Sequence, residues 1–271
     1  ARYHGQNGRI RYEMGDFRWN SEDFTREYPV VLSTTYSIKG TLNPNHVYDY
    51  IIVDEASQVD LATGVLAFSC AKNIVIVGDL KQLPNVVTEA DIEISDAIWQ
   101  KYSLEERYHF STHSMLSSAL ETWPDAPTTL LREHYRCHPK IIDFCNQKFY
   151  NGQLIIMTKD NNEPNALTMY RTVAGNHARG RTNQRQIDVI QQEVIPHLRQ
   201  KNYNSIGIIT PYRDQVSAIR RQLGDSYEVD TVHKFQGREK DAIILTSVDN
   251  VISDFVDDPH MLNVAVSRAV H

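Results

Sequence analysis

The chain has 271 residues, of which 41% are hydrophobic and 23% are charged. This is an ordinary globular composition, and it excludes disordered, collagen-like and low-complexity proteins. The formal net charge of −6 argues weakly against a nucleic-acid-binding protein, because such domains are usually basic but a basic patch can also occur in an acidic chain.

Five short apolar runs rich in β-branched residues are predicted to form strands, at residues 30–33, 50–53, 74–77, 206–210 and 242–247. Each run is almost continuously apolar, which is typical of strands buried on both faces of a parallel sheet. About 20 residues separate the second run from the third, enough for a crossover helix and hence a βαβ unit.

Helices are predicted where apolar residues recur at helical spacing. The three stripes are Ile141, Cys145 and Phe149; Ile187, Ile190, Val194 and Leu198; and Val216, Ile219 and Leu223. Thr182 is a candidate N-cap of the second helix, and Pro196 predicts a kink near its end.

Residues 90–127 show no strand pattern, and the run Trp-Pro-Asp-Ala-Pro at 123–127 predicts a linker. We therefore expect two domains, residues 1–122 and 123–271, with a further loop at 160–165. The chain begins at Ala1 and stops at His271 inside a predicted helix, so we expect it to be a fragment of a longer protein.

Three cysteines, Cys70, Cys137 and Cys145, lack the paired spacing of a zinc site and predict reduced thiols in the cytoplasm or nucleus. No apolar run approaches the roughly 18 residues of a membrane helix, so no membrane partner is expected. We expect a monomer.

Two neighbouring predicted strands end in acidic residues, at Asp54 and Glu55 and at Asp79. In parallel α/β sheets, ligands bind beyond the carboxyl ends of the strands. One carboxylate can hold a hydrated Mg²⁺, and another can orient or deprotonate a water molecule. Gly78 would let the backbone pass close to a ligand, and Gln82 can donate to or accept from a phosphate or water. The alternative is a solvated strand end whose aspartate caps the next helix.

From this edge onward the sequence resembles the superfamily 1 helicases. Six segments match the family's motifs II and III, IV, the segment after IV, V and VI in order: Val-Asp-Glu-Ala-Ser-Gln at 53–58, Gly-Asp-Leu-Lys-Gln-Leu-Pro at 78–84, Tyr-Arg-Cys-His-Pro at 135–139, Thr-Pro-Tyr-Arg-Asp-Gln at 210–215, Thr-Val-His-Lys-Phe-Gln-Gly-Arg-Glu at 231–239 and Asn-Val-Ala-Val-Ser-Arg-Ala at 263–269. The resemblance covers residues 29–271. It is greatest to the 5′-to-3′ branch that includes the RNA helicase of nonsense-mediated decay and many bacterial DNA helicase-like proteins.

The resemblance implies an α/β fold of tandem RecA-like parallel sheets flanked by helices, with the first domain incomplete and ATP bound between the two. It also implies the nucleotide-site roles: Asp54 holds Mg²⁺, Glu55 activates the attacking water, Gln82 senses the γ-phosphate, Arg136 and Arg268 are arginine fingers, Tyr135 stacks on adenine, Glu239 bonds the ribose, and Gly237 and Asp79 belong to the nucleotide-binding set. Arginine suits this chemistry because its planar fork binds phosphate oxygens bidentately and phosphoryl transfer depends on charge neutralisation. The alternatives are a surface ion pair of Arg136 with Glu133 and an exposed helix position for Arg268.

Nucleic-acid contacts are implied at hydroxyl, aromatic and basic side chains after three strands: Ser33, Thr34 and Thr35; Thr210, Tyr212 and Arg213; and Thr231 and His233. Hydroxyls can bind backbone phosphates, and aromatic rings can stack on bases. The alternatives are a satisfied strand end at residues 33–35 and a packed histidine at His233. The expected track is single-stranded, with DNA slightly favoured over RNA.

The chain contains no G-x-x-x-x-G-K-[ST] motif and no Gly-Lys dipeptide. Because that loop grips the β- and γ-phosphates, we expect the chain by itself to be inactive and the loop to lie upstream of Ala1. His134 and Cys137 replace the residues usual in the family. Both substitutions are expected to be tolerated, and with His138 they lack a fourth zinc ligand.

Three functions follow from these observations: a nucleic-acid motor driven by ATP, a helicase-like module that binds nucleic acid or a partner without catalysis, and a metal-dependent nuclease built on Asp54, Glu55 and Asp79. The intact acidic pair and both arginines favour the motor. Neither histidine nor lysine accompanies the three carboxylates at a nuclease-like spacing.

Overall fold

The computed structural model describes residues 12–13, 15–160, 165–203 and 205–270. The chain divides into two compact units. The first unit contains Ala1–Leu80 and Pro84–Pro127, and the second contains Lys81–Leu83 and Thr128–His271. The main division therefore follows the Trp-Pro-Asp-Ala-Pro run at 123–127.

The first unit holds a two-stranded parallel sheet, β1 (Tyr48–Val53) and β2 (Ala71–Ile76), whose register runs from Tyr48 opposite Ala71 to Val53 opposite Ile76. The helices of this unit are α1 (Asp16–Trp19), α2 (Ser21–Glu27), α3 (Ile38–Thr41), α4 (Leu61–Phe68), α5 (Glu89–Tyr102) and α6 (Met115–Thr122), with 3₁₀ turns at Ala56–Gln58 and Glu106–Tyr108. Since α4 connects two parallel strands, the predicted βαβ unit is confirmed.

The helices α5 and α6 were not predicted, although their N-caps are visible in the sequence. The side chain of Thr88 accepts a hydrogen bond from the backbone N–H of Asp91, and Ser114 and Ser117 form a reciprocal capping box. Such caps satisfy the unpaired N–H groups of a first helical turn. The capping pattern therefore marks these helices better than their weak apolar periodicity does.

The predicted strand at residues 30–33 is wrong. Val30 and Leu32 are 77% and 92% exposed, and among the described residues β1 and β2 pair only with each other. A strand is stable only where its backbone groups find partners, so an apolar run alone does not form one.

The core of the first unit lies on one face of its sheet. Val53, Ala67 and Met115 pack there with Cys70 and Leu116. The opposite face is exposed at three apolar positions: Tyr50 (66% exposed), Ile52 (67%) and Val75 (44%). The prediction of burial on both faces is therefore wrong for this sheet.

The second unit is built on a three-stranded parallel sheet of order β8-β7-β9, with β7 at Ile206–Thr210, β8 at Glu228–Thr231 and β9 at Ala242–Leu245. Two short pairs accompany it: β3 (Glu133–His134) with β4 (Ile155–Ile156), parallel, and β5 (Ala178–Arg179) with β6 (Thr182–Asn183), antiparallel. Of these strands, β7 and β9 confirm predicted runs, whereas β8 was not predicted.

The helices of the second unit are α7 (Pro139–Phe149), α8 (Gln184–Val189), α9 (Ile195–Gln200), α10 (Arg213–Leu223), α11 (Val232–Phe235) and α12 (Pro259–Val266), with a 3₁₀ turn at Gly224–Ser226. A π-helical segment, Ile190–Val194, joins α8 to α9. This wider turn precedes Pro196, which cannot donate to an i−4 carbonyl. The kink expected at Pro196 stays a prediction. The N-cap is Asn183 rather than Thr182, since the Asn183 side chain accepts from the N–H of Gln186.

Both faces of the second sheet are covered, as predicted. Ile208 packs with Ile187 and Ile219 on one side, and Ile209 packs with Phe235 and Val264 on the other. All six side chains are fully buried. Leu83 belongs to the second of these clusters, which explains why Lys81–Leu83 falls in this unit. Within the described residues, no helix has the length and apolar character needed to cross a bilayer.

Candidate functional site

The acidic pair at the end of β1 stands on a constrained turn. Glu55 has a left-handed backbone, with φ 52° and ψ 38°, and its N–H donates to Oδ1 of Asp54 at 2.9 Å. Oε2 of Glu55 accepts from Nε2 of Gln58 at 3.2 Å. A left-handed residue other than glycine costs on the order of 1–2 kcal/mol, so local contacts hold this turn in place. Asp54 is exposed and Glu55 is half-buried.

Asp79 follows β2 at the same edge of the sheet, since β1 and β2 are parallel and in register. The sequence suggested that Gly78 lets the backbone approach a ligand, but in the structure protein atoms fill the space beside it. A Cβ atom there would lie 3.1 Å from the backbone nitrogens of Ala56 and Ser57 and 3.0 Å from Cδ2 of Leu116. The glycine is therefore needed for close packing against the turn that carries the acidic pair.

Gln82 lies in the segment that packs in the second unit, where its Oε1 accepts from a terminal guanidinium nitrogen of Arg268 at 3.4 Å. Arg268 is only 4% exposed, and its Nε donates to the carbonyl of Val264. The exposed position considered for Arg268 is therefore wrong. The structure brings together the predicted phosphate sensor and one predicted finger.

Asn263 holds the same segment, although the sequence alone did not single it out. Its Nδ2 donates to the carbonyl of Lys81 at 2.9 Å and contacts the hydroxyl of Tyr150 at 2.7 Å. Asn263 is 1% exposed, and a buried amide needs such partners. The signal was an asparagine on the apolar side of a helix, which is unusual without a polar partner.

Arg136 forms an ion pair with Glu239, with 2.6 Å between Nε and Oε2. The expected alternative, a pair with Glu133, is wrong, because Glu133 instead accepts a short hydrogen bond from the hydroxyl of Tyr135. A predicted finger and a predicted ribose ligand thus neutralise each other. Both side chains are about half exposed.

Two further nucleotide-set residues lie beside this pair in the chain. The ring of Tyr135 is accessible, since the residue is 66% exposed, and its bond to Glu133 raises the pKa of its hydroxyl. Gly237 has φ 77°, a left-handed conformation that favours glycine.

The predicted nucleic-acid residues of the first unit lie in a turn before α3. The hydroxyl of Thr34 accepts from the N–H of Ser37 at 3.2 Å, and the hydroxyl of Ser33 donates to the carbonyl of Thr34. Ser33 and Thr34 are exposed, while Thr35 is half-buried. These hydroxyls are within reach of a ligand at the surface of the turn.

The corresponding residues of the second unit divide by burial. Thr210 and Thr231 are 0% and 7% exposed, and the Thr210 hydroxyl has no hydrogen-bond partner among the described residues. Arg213 and His233 are exposed at the same edge. The ring of His233 is nevertheless partly shielded from solvent, and this desolvation lowers its pKa, opposed by Asp258. The hydroxyl of Tyr212 donates to Asp249 at 2.8 Å. Tyr212, Arg213 and His233 therefore form the accessible part of this set.

The residues considered for a zinc site have structural roles. Nε2 of His134 accepts from the N–H of Cys137 at 2.9 Å, and Nδ1 of His138 accepts from the N–H of Lys140 and caps α7. Burial raises the pKa of the Cys137 thiol to about 11. Over the described part of the chain, no three His, Cys, Asp or Glu side chains converge as metal ligands. Asp54, Glu55 and Asp79, all of them described, do not form such a cluster either.

Two protein-family models match this chain. A model described as an AAA domain matches residues 111–271, and a second model with the same description matches residues 6–90. Together they span both units and the six motif segments. This chain belongs to the superfamily 1 helicases.

Two proteins similar to this chain are named as ATP-dependent helicases. The chain is 30% identical over 264 residues to an uncharacterized ATP-dependent helicase of Caenorhabditis elegans, covering 89% of this chain and 16% of that protein. It is 26% identical over 288 residues to the DNA replication ATP-dependent helicase/nuclease dna2 of Schizosaccharomyces pombe, covering 91% of this chain and 20% of that protein. The chain thus spans a fifth or less of these two relatives.

Among solved structures, the helicase-family chain is similar to the PRRSV helicase, with 17% identity and a TM-score of 0.41 over 81% of this chain and 33% of that chain. The fold assignment rests instead on the parallel strands described above and on the family match.

Proposed function

We propose that this protein is an ATP-dependent helicase or translocase that couples ATP hydrolysis to movement on single-stranded nucleic acid. The observation that carries the proposal is the contact between half-buried Gln82 and buried Arg268 in a chain of this family. A buried guanidinium held beside an uncharged amide is poised to neutralise phosphate charge, which is the main demand of phosphoryl transfer.

In this proposal the acidic pair prepares the attacking water. Asp54 fits a hydrated Mg²⁺ because its carboxylate is exposed at the carboxyl end of a parallel strand. The metal, when bound, would neutralise charge on the β- and γ-phosphates. Glu55, oriented by its left-handed backbone and by Gln58, would position and deprotonate the water. Asp79 would add a third carboxylate at this edge.

The arginines and their partners would act on the nucleotide. Arg268 and Gln82 would contact the γ-phosphate together. Arg136 would act as the second finger, which requires the ion pair with Glu239 to open so that Glu239 can bond the ribose. Tyr135 would stack on adenine with its exposed ring, and the left-handed turn at Gly237 would bring backbone close to the nucleotide.

The proposed track is a single strand, with DNA slightly favoured over RNA. Support comes from the exposed hydroxyls of Ser33 and Thr34, from Tyr212, Arg213 and His233, and from a relative named for DNA replication. Nucleic-acid contacts of Thr35, Thr210 and Thr231 are also predicted. For Thr210 and Thr231 the contact requires the buried side chain to become accessible. Translocation would follow the 5′-to-3′ direction of the resembled branch, in the cytoplasm or nucleus.

We further propose that residues 1–122 and 123–271 correspond to two RecA-like domains, and that the 271-residue chain does not turn over ATP because it contains no Gly-Lys dipeptide. In the full-length protein, Arg136→Ala should lower kcat about a thousandfold or more, the usual contribution of an arginine finger, with nucleotide affinity nearly unchanged. Phosphate release stimulated by single strands measures kcat, and a fluorescent ATP analogue measures affinity.

The matched control is Arg221→Ala, which removes an exposed arginine from the last turn of α10 that belongs to none of the predicted sites. Its kcat should equal that of the wild type. The finger assignment fails if Arg136→Ala loses nucleotide affinity while bound ATP turns over normally. Turnover by the 271-residue chain would contradict the proposal that it is inactive.

A further inference from the structure

A basic hairpin in the second unit lies outside the six helicase motif segments. Residues 164–187 contain four arginines and no aspartate or glutamate, in a chain whose net charge is −6. Strands β5 and β6 form this hairpin, and Gly180 makes its turn with φ 59°. Arg179 and Arg181 flank that glycine and are both exposed.

Hydrogen bonds fix the hairpin at the carboxyl edge of the central sheet. Nδ2 of Asn183 donates to the carbonyl of Val248 at 2.7 Å, and the Asn183 N–H donates to Oε1 of Gln215 at 2.8 Å. Oδ1 of Asn250 accepts from the backbone N–H groups of residues 177 and 178, at 3.0 and 3.2 Å. Gln215 follows β7 and Val248 follows β9, so the hairpin borders the edge where Tyr212 lies.

An apolar, aromatic surface adjoins the hairpin. The rings of Tyr212 and Phe255 lie 5.3 Å apart with an interplanar angle of 31°. Phe255 is 49% exposed, and its loop also exposes Val251 (81%) and Ile252 (74%). Burial and the hydrogen bond to Asp249 raise the pKa of the Tyr212 hydroxyl.

The two sides of this surface carry opposite charges, with arginines on the hairpin and aspartates on the loop. Four aspartates lie in and just after this loop, Asp249, Asp254, Asp257 and Asp258, and Asp249 accepts hydrogen bonds from the hydroxyls of Tyr212 and Ser253. These carboxylates would repel phosphates, whereas Arg179 and Arg181 form no ion pair among the described residues and would attract them. A nucleic-acid strand has anionic phosphates on one side and aromatic bases on the other. It would therefore fit with its phosphates toward the hairpin and its bases toward the loop.

We propose that β5–β6 and the loop at residues 249–255 form a binding surface for single-stranded DNA or RNA. Arg179 and Arg181 bind backbone phosphates, and Phe255, packed on Tyr212, stacks on a base. The inference rests on the proposed function, since it extends the track from Tyr212, Arg213 and His233. A single strand fits because every base offers an apolar face and every phosphate a charge.

The experiment measures binding of fluorescein-labelled oligothymidylate and oligouridylate to the 271-residue chain by fluorescence anisotropy over a range of salt concentrations. The double variant Arg179→Gln/Arg181→Gln should weaken binding of both probes about tenfold and reduce the slope of log Kd against log salt by about 1.4, or about 0.7 per phosphate contact. Phe255→Leu should also weaken binding about tenfold but leave the slope unchanged, because stacking releases no counterions.

The control is Arg199→Gln/Arg221→Gln, which removes the same charge from exposed positions on other helices of the second unit. Its affinity and slope should remain close to those of the wild type. Circular dichroism of each variant establishes that it is folded, and Phe255→Leu tests the surface separately if the arginine variant unfolds.

Three outcomes overturn the inference. In the first, the hairpin variant keeps the wild-type slope while the wild type binds, which leaves the proposed function intact. In the second, the control pair loses as much affinity as the hairpin pair, which shows that charge alone matters. In the third, the wild-type chain binds neither probe. Failure of the proposed function is measured separately, from the ATP turnover of Arg136→Ala in the full-length protein.

Discussion

In the first unit a two-stranded parallel sheet is packed on one face, whereas in the second a three-stranded parallel sheet is packed on both. Ile52 in β1 and Ile208 in β7 illustrate the difference. Each lies within a short apolar strand and faces a paired neighbour, yet Ile52 is 67% exposed and Ile208 is fully buried. The same kind of strand thus supports two different levels of packing.

The difference separates positioning from stability. The register of β1 and β2 and the close packing of Gly78 against the turn at Glu55 place Asp54, Glu55 and Asp79 at one edge. The second sheet also places polar side chains at its carboxyl edge, but its strands are held by side chains on both faces. We therefore expect core substitutions to affect the second unit far more strongly than the first.

The largest expected effect breaks the packing of the second unit. Ile208→Ala should lower the free energy of unfolding by about 2–5 kcal/mol, because it leaves a cavity in a filled core. Ile52→Ala, the matched change, should cost less than about 1 kcal/mol, because the side chain is already exposed. Chemical denaturation followed by circular dichroism measures both, and equal losses would contradict the comparison.

A smaller effect tests the turn of the first unit. Gly78→Ala should destabilise that unit by about 1–3 kcal/mol, because its Cβ would lie only 3.1 Å from the backbone nitrogens of Ala56 and Ser57, which would have to move apart to accommodate it. The three tryptophans, Trp19, Trp99 and Trp123, all lie in the first unit, so their fluorescence reports its unfolding.

Gly40→Ala is the control for this turn. It adds the same methyl group within α3, where the nearest atom is a guanidinium nitrogen of Arg18 at 3.5 Å. The stability of this variant should be unchanged or slightly higher. If both variants unfold at the same denaturant concentration, Gly78 is not constrained by close packing.

The smallest effect is a pH dependence of opposite sign in the two units. Asp96 raises the pKa of His109 in the first unit, whereas burial lowers the pKa of His134 and His233 in the second. A raised histidine pKa stabilises below its ordinary value near 6.5, and this stability is lost as pH rises through the folded pKa. A histidine whose pKa is lowered in the folded state stabilises the fold above about pH 6.5, and this stability is lost as the pH falls through the lowered pKa.

Lowering the pH from about 8 to about 6 should therefore stabilise the first unit slightly and destabilise the second. Tryptophan fluorescence follows the first unit, and hydrogen exchange of the β7 amides follows the second. His109→Gln should remove the dependence of the first unit alone. Asp96 does not confuse the result, because its pKa is lowered by His109 and it stays charged throughout this range. A shift of the same sign in both units would contradict the assignment.

The sequence predicted well wherever the signal was local. Four of the five apolar runs are strands, and the stripes through Ile141, Ile187 and Val216 are helices. The order of the motif segments led to the family without any knowledge of contacts. Local signals failed at residues 30–33, where no partner strand is present among the described residues, and at α5, whose apolar periodicity is weak although Thr88 caps its first turn.

Tertiary structure decided what depends on residues far apart in the chain. Arg268 contacts Gln82 across 186 positions, Arg136 pairs with Glu239, and Asn250 holds a hairpin more than 70 positions earlier. Which face of a strand is buried also depends on distant helices. A sequence determines local backbone preferences and the order of chemical groups along the chain. It does not show which groups meet, because that outcome depends on the packing of all the elements together.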